Sequence, residues 1–193
     1  MLTAVQDVVL AWRVRGMAFT LANAFVVVAA LLVVPQGQQE VPGRLGIYTF
    51  VWPLIPAVVA IFLPLVSART STSQHRVAPG YTVRRGADLA GFVALTVGAV
   101  VWRQDLDAVV LVRNVALFVG LTATCIRVLG PNGAWVLPAA TVMVTWLLGT
   151  SNGGEPHGWA VLLHGPTSIP AISAAALLAV TGVLGYLTEP ARD

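Results

Sequence analysis

The chain has 193 residues, 57% of them hydrophobic and only 10% charged, with a mean hydropathy of +0.82. Water-soluble domains carry about a quarter charged residues, so a soluble globular fold is excluded for most of this surface. All eleven basic residues are arginines, giving a net charge of +3 and excluding the P-loop, whose lysine must reach the phosphates.

The chain opens on residues 2–12, where Leu2, Val5, Val9 and Trp12 share one helical face and Thr3, Gln6 and Asp7 lie elsewhere. That pattern predicts either an amphipathic helix in the headgroup plane or an extension of the first span. The apolar run that follows is as long as a full span, without a small-residue cleavage site leading into a soluble domain. A cleavable signal is therefore not expected.

A run of about 18 apolar residues suffices to cross the hydrocarbon core. Residues 17–34, 46–68 and 169–187 pass that test outright, and 86–102, 108–126 and 134–149 complete a set of six. The fold class expected is an all-α integral membrane bundle of six transmembrane helices, preceded by the interfacial helix and forming one domain over 1–193. The second span carries Pro53, Pro56 and Pro64, which free backbone carbonyls and predict a kinked helix packed inside the bundle. Turn composition at Gly130-Pro131-Asn132-Gly133 separates spans four and five. The Gly- and Pro-rich stretch 150–168 holds an apolar centre at 159–163, read as a short re-entrant or interfacial piece with Trp159 at headgroup level.

Arginine counts predict the orientation. With the N-terminus inside, Arg13, Arg15, Arg69, Arg76, Arg84, Arg85, Arg127 and Arg192 are cytoplasmic, against Arg44, Arg103 and Arg113 on the other side. Both termini are then cytoplasmic, and the arginines mark topology rather than nucleic acid, which is not an expected partner. The expected surroundings are the lipid bilayer of the cell membrane.

No enzyme signature is present: HExxH and CxxC are missing, and every carboxylate falls in a loop or at a helix end. A membrane-embedded hydrolase or proton-coupled pump places an ionisable residue at mid-depth. No catalytic residue, cofactor or metal is therefore expected. The single cysteine, Cys125, cannot form an intrachain disulfide and reads as a small buried hydrophobe.

Three constellations stand out. Residues 69–85 gather Arg69, His75, Arg76, Arg84 and Arg85 without an acid, which suits either a docking loop for a cytoplasmic partner or a topology determinant touching anionic headgroups. Arg113 and Asn114, about a turn inside span four, either mark a translocation path or snorkel to the outer interface, with Asp105 and Asp107 as candidate partners. Glu155, His157 and His164 share the outer segment, but their spacing matches no zinc motif. Small residues recur at helical spacing in Ala90, Ala94 and Gly98, and in Ala171, Ala175 and Ala179. Both stripes predict close helix packing, within the bundle or between copies.

In this order the elements resemble the membrane (permease) subunit of ABC-2-type exporters. That family has an N-terminal interfacial helix, a coupling segment between spans two and three, and outer re-entrant pieces between spans five and six. Residues 2–12, 69–85 and 159–164 fall in those places. The chain is also similar to small actinobacterial membrane proteins of this kind through Arg113-Asn114 and the stretch Leu129-Gly130, Trp135 and Pro138. The resemblance implies a separate ATPase chain docking on 69–85. It also implies a dimer of membrane subunits and an export path for a lipid-like, peptide or drug-like molecule, worked by alternating access. The chain is short for the family, and its coupling segment lacks the acidic residue often found there. Both departures fit an alternative, a non-transporting scaffold or accessory protein of a membrane complex.

Overall fold

The computed structural model describes residues 20–33, 37–70, 81–102 and 106–188. The predicted interfacial helix at 2–12 lies outside them. Six α-helices are found among the described residues: α1 Thr20–Val33, α2 Val59–Thr70, α3 Tyr81–Val101, α4 Ala108–Leu129, α5 Val136–Leu148 and α6 Ile169–Leu187. Two of them, α4 and α6, are long and apolar enough to cross a membrane.

Helix α4 is the axle of the bundle. It packs against α2, α3, α5 and α6, and its longest interface is with α6. Asp107 starts it by accepting from the backbone amides of Val109 and Val110 at 2.9 and 3.1 Å, which satisfies two donors that a helix start leaves open. Gly130 ends it, its N–H donating to the Ile126 carbonyl at 3.0 Å before Pro131 prevents continuation. The stripe Ala171, Ala175 and Ala179 extends to Gly182 and faces this axle. A Cβ added to Gly120 would run into the Leu178 carbonyl, and one on Gly182 would lie 2.8 Å from the Gly120 Cα. The two backbones therefore touch, and only glycine fits on either side. The other predicted stripe behaves differently: Ala90, Ala94 and Gly98 lie on the exposed face of α3, and a Cβ added to Gly98 would meet nothing within 4 Å among the described residues.

Helix α1 turns one stripe inward, with Asn23, Val27 and Leu31 buried at four-residue spacing and Phe25 and Leu32 exposed. The Asn23 side-chain amide donates to the Thr96 hydroxyl of α3, which in turn donates to the Phe92 carbonyl at 2.9 Å.

One predicted element is corrected. Residues 46–51 do not begin a helix but form the return of a hairpin, in which β1 (Gln39–Glu40) pairs antiparallel with β2 (Tyr48–Thr49). Gly43 and Gly46 hold φ near +77 and +75°, a region open to glycine, and this sets the turn. Helical structure starts only at Trp52, with Pro53 in its first turn, as a 3-10 helix over Trp52–Val58 that continues into α2. Apolarity alone did not distinguish this hairpin from a span. At the other boundary, α3 begins at Tyr81 rather than at residue 86, so Arg84 and Arg85 are helical.

The hairpin, residues 106–107 and the segment 149–168 meet at one end, called here the hairpin end. Residues 130–135 and the C-terminal turn of α6 lie at the far end, where the Arg85 guanidinium sits 3.6 Å over the Tyr186 ring and Arg127 lies against Gly185. Phe25, Val83 and Ile169 are each more than 70% exposed, so apolar surface faces outward on several helices rather than in one patch.

Candidate functional site

The hairpin end is built around a length mismatch. Helix α5 has 13 residues and rises about 20 Å, whereas α4 has 22 and rises about 33 Å. Segment 149–168 fills the difference as a roof folded back into the bundle, with Ala160 and Leu162 fully or almost fully buried. The roof is knitted by an isolated bridge between Thr150 and Pro156, by the Ser151 amide donating to Glu155 and by the His157 amide donating to Gly149, both at 2.8 Å. His164 Nε2 donates to the His157 carbonyl at 3.2 Å, and the His157 and Trp159 rings stack.

Irregular backbone of this kind leaves carbonyls without helical partners, and burial makes an unmet carbonyl costly. Arg113 supplies the donors. Its Nη1 donates to the carbonyls of His164 at 2.9 Å and Gly165 at 3.2 Å, its Nη2 to Leu162 at 3.2 Å, and its Nε to the Asn114 side-chain oxygen at 3.0 Å. The five donors of a guanidinium sit in a rigid planar fork, which suits one side chain to several carbonyls at once. Asn114 extends the clamp: its amide donates to Leu162 at 3.0 Å and to Pro53 at 2.8 Å. The Pro53 carbonyl needs this. In a 3-10 helix its acceptor role would be filled by the N–H three residues on, and that residue is Pro56, which has none.

Arg113 is held by this network rather than standing alone. It is buried, its partners are main-chain and amide oxygens, and neither Arg113 nor Asn114 lines the cleft above. Asp107 caps the start of α4 while its charge also acts on the Arg113 guanidinium, and Asp105 lies outside the described residues. A second clamp acts at the rim. Arg44, in the hairpin turn, donates to the carbonyls of Leu147 at 3.1 Å and Thr150 at 2.9 Å and to the Asn152 side chain at 3.0 Å, tying the hairpin to the end of α5. Glu40 holds the turn itself, accepting from the Gly46 amide at 2.9 Å.

Between hairpin and roof lies a cleft of about 320 Å³. Tyr48, Phe50 and Trp52 form one side, with the Phe50 and Trp52 ring centroids 6.3 Å apart, while Asp107, Glu155 and His164 contribute from the other elements. Thr150 also lines it, and its hydroxyl is buried without a hydrogen-bond partner. Among the described residues no group of three or more His, Cys, Asp or Glu is placed to hold a metal ion.

The predicted docking set falls partly outside the described residues. His75 and Arg76 lie outside the described residues, and Arg69 and Arg84 belong to the last turn of α2 and the first turns of α3. Arg85 is buried, with its guanidinium over the Tyr186 ring, rather than standing in an open loop. The cleft itself escaped the sequence reading, because its walls come from three segments up to about a hundred residues apart. The available signal was the density of aromatic residues at Tyr48, Phe50 and Trp52, which reads equally as the start of a span. Compared with known proteins, the chain matches no family model, no curated protein and no solved structure.

Proposed function

We propose that this chain is a six-span membrane protein with the hairpin end outside and both termini in the cytoplasm, acting as the permease subunit of an ABC-2-type exporter alongside a separate ATPase chain. The observation that carries the topology is the meeting of three segments, the hairpin, 106–107 and 149–168, at one end. The arginine count had assigned those connections to one side of the bilayer. Apolar side chains facing outward on several helices, and Trp102, Trp135 and Trp159 exposed near helix boundaries, suit a lipid belt with aromatic anchors at its edges. The 3-10 helix and α2 together rise about 32 Å, and α3 about the same, so each is long enough to cross. The exporter reading is favoured by the order of elements: a roof folded in between spans five and six, and an arginine-bearing connection between spans two and three.

The exposed small-residue stripe Ala90, Ala94 and Gly98 gives α3 a smooth outward face suited to a second membrane subunit. Pull-down from mild detergent tests the ATPase partnership: a P-loop ATPase co-purifies, and the triple change Arg69→Ala, Arg76→Ala and Arg84→Ala reduces its recovery. Arg85 is left out because its burial makes it a folding position. Undiminished association after the triple change would sink the docking assignment. An accessory role without transport is the competing reading, favoured by the full engagement of Arg113 and Asn114 with backbone. It predicts no ATP-dependent flux from vesicles holding both chains.

A further inference from the structure

We infer that the cleft at the hairpin end binds an organic ammonium group, either a free amine or quaternary ammonium compound or the amine head of a lipid. The cleft is large enough for a small ligand head at about 320 Å³, and no arginine among the described residues lines it. Its charged walls are carboxylates. Glu155 is exposed and its carboxylate makes no hydrogen bond within the described residues, while Asp107 uses only Oδ1 to start α4, leaving Oδ2 to a ligand. His164 turns Nε2 to the His157 carbonyl rather than to an incoming anion.

An independent observation points to a ligand. Thr150 is almost fully buried, lines the cleft, and its hydroxyl has no hydrogen-bond partner among the described residues. Buried hydroxyls are normally satisfied, so this one marks a position where a bound group would complete the hydrogen bonding. The chemistry of the remaining wall selects among cations. An inorganic divalent ion needs several oxygen ligands, and no suitable cluster exists among the described residues. Tyr48, Phe50 and Trp52 instead offer aromatic faces, which attract ammonium groups through the ring quadrupole and accept the alkyl substituents that a metal ion lacks. The inference stands on the cleft alone and does not require the exporter reading.

The test is titration of the full chain in nanodiscs of phosphatidylglycerol with choline and, separately, with its uncharged carbon isostere dimethylbutanol, followed by tryptophan fluorescence and calorimetry. Choline binds saturably and the isostere roughly tenfold more weakly. Glu155→Gln, an exposed change that leaves the fold intact by circular dichroism, weakens choline by about the same factor, as does Trp52→Leu. Equal binding of choline and the isostere, absence of saturable binding, or unchanged choline affinity in Glu155→Gln would each overturn the inference. Repeating the titration in phosphatidylethanolamine nanodiscs separates the sources: suppressed choline binding there identifies the lipid head as occupant, and unchanged binding identifies a soluble ammonium compound.

Discussion

At the hairpin end, Arg113 and Arg44 donate to five main-chain carbonyls between them, whereas at the far end Arg85 lies over the Tyr186 ring and Arg127 lies along Gly185. The same residue type serves two different needs. The roof and the proline-rich 3-10 helix are irregular backbone folded into the bundle, and their carbonyls require donors from elsewhere. At the far end, the turn that closes α4 satisfies itself through Gly130, and Arg127 lies along Gly185 with no side-chain hydrogen bond among the described residues. A guanidinium inside a span thus reports non-helical backbone nearby as readily as it reports a substrate path.

Breaking the buried clamp gives the largest effect. Arg113→Leu leaves the Leu162, His164 and Gly165 carbonyls short of a donor, and is expected to cost about 3–5 kcal/mol in thermal unfolding in detergent. Arg113→Lys keeps the charge without the planar fork and recovers less than half of that loss. Gly120→Val tests whether the ends are held together through the middle. The added carbons meet the Leu178 carbonyl, and forcing α4 and α6 apart is expected to cost about 1–3 kcal/mol by the same measurement. Arg44→Ala, at a half-exposed site, is expected to cost about 1 kcal/mol and to speed proteolysis of the hairpin while leaving α4 protected. Arg127→Met at the far end stays within about 0.5 kcal/mol of the parent. If Arg127→Met were as damaging as Arg113→Leu, the distinction between the two ends would fail.

Much of the helical frame was legible in the sequence. Helix α6 begins and ends where its apolar run does, at Ile169 and Leu187, and α4 begins right after the Asp107 cap. What escaped was settled by contacts distant in sequence. Arg113 bonds residues 49 to 52 positions away and Asn114 one 61 away, so neither role is visible in local pattern. Arg85 looked like loop because charge usually marks a loop; Tyr186, about a hundred residues on, makes it helical and buried. Residues 46–51 were apolar enough for a span, and the two left-handed glycines that fold them into a hairpin look like ordinary loop glycines in sequence. Of the two small-residue stripes, spacing alone could not say that one meets α4 and the other faces outward.

The claim beneath all of this is that the bundle crosses the bilayer with its hairpin end outside. Single-cysteine labelling in intact cells tests it directly, in a Cys125→Ala background that removes the chain's own thiol. Gly153→Cys, in the roof, is expected to react with a membrane-impermeant maleimide added outside, and Asn132→Cys, between α4 and α5, only after the cells are permeabilised. Reaction of both positions from the same side, or of Asn132→Cys alone from outside, would contradict it.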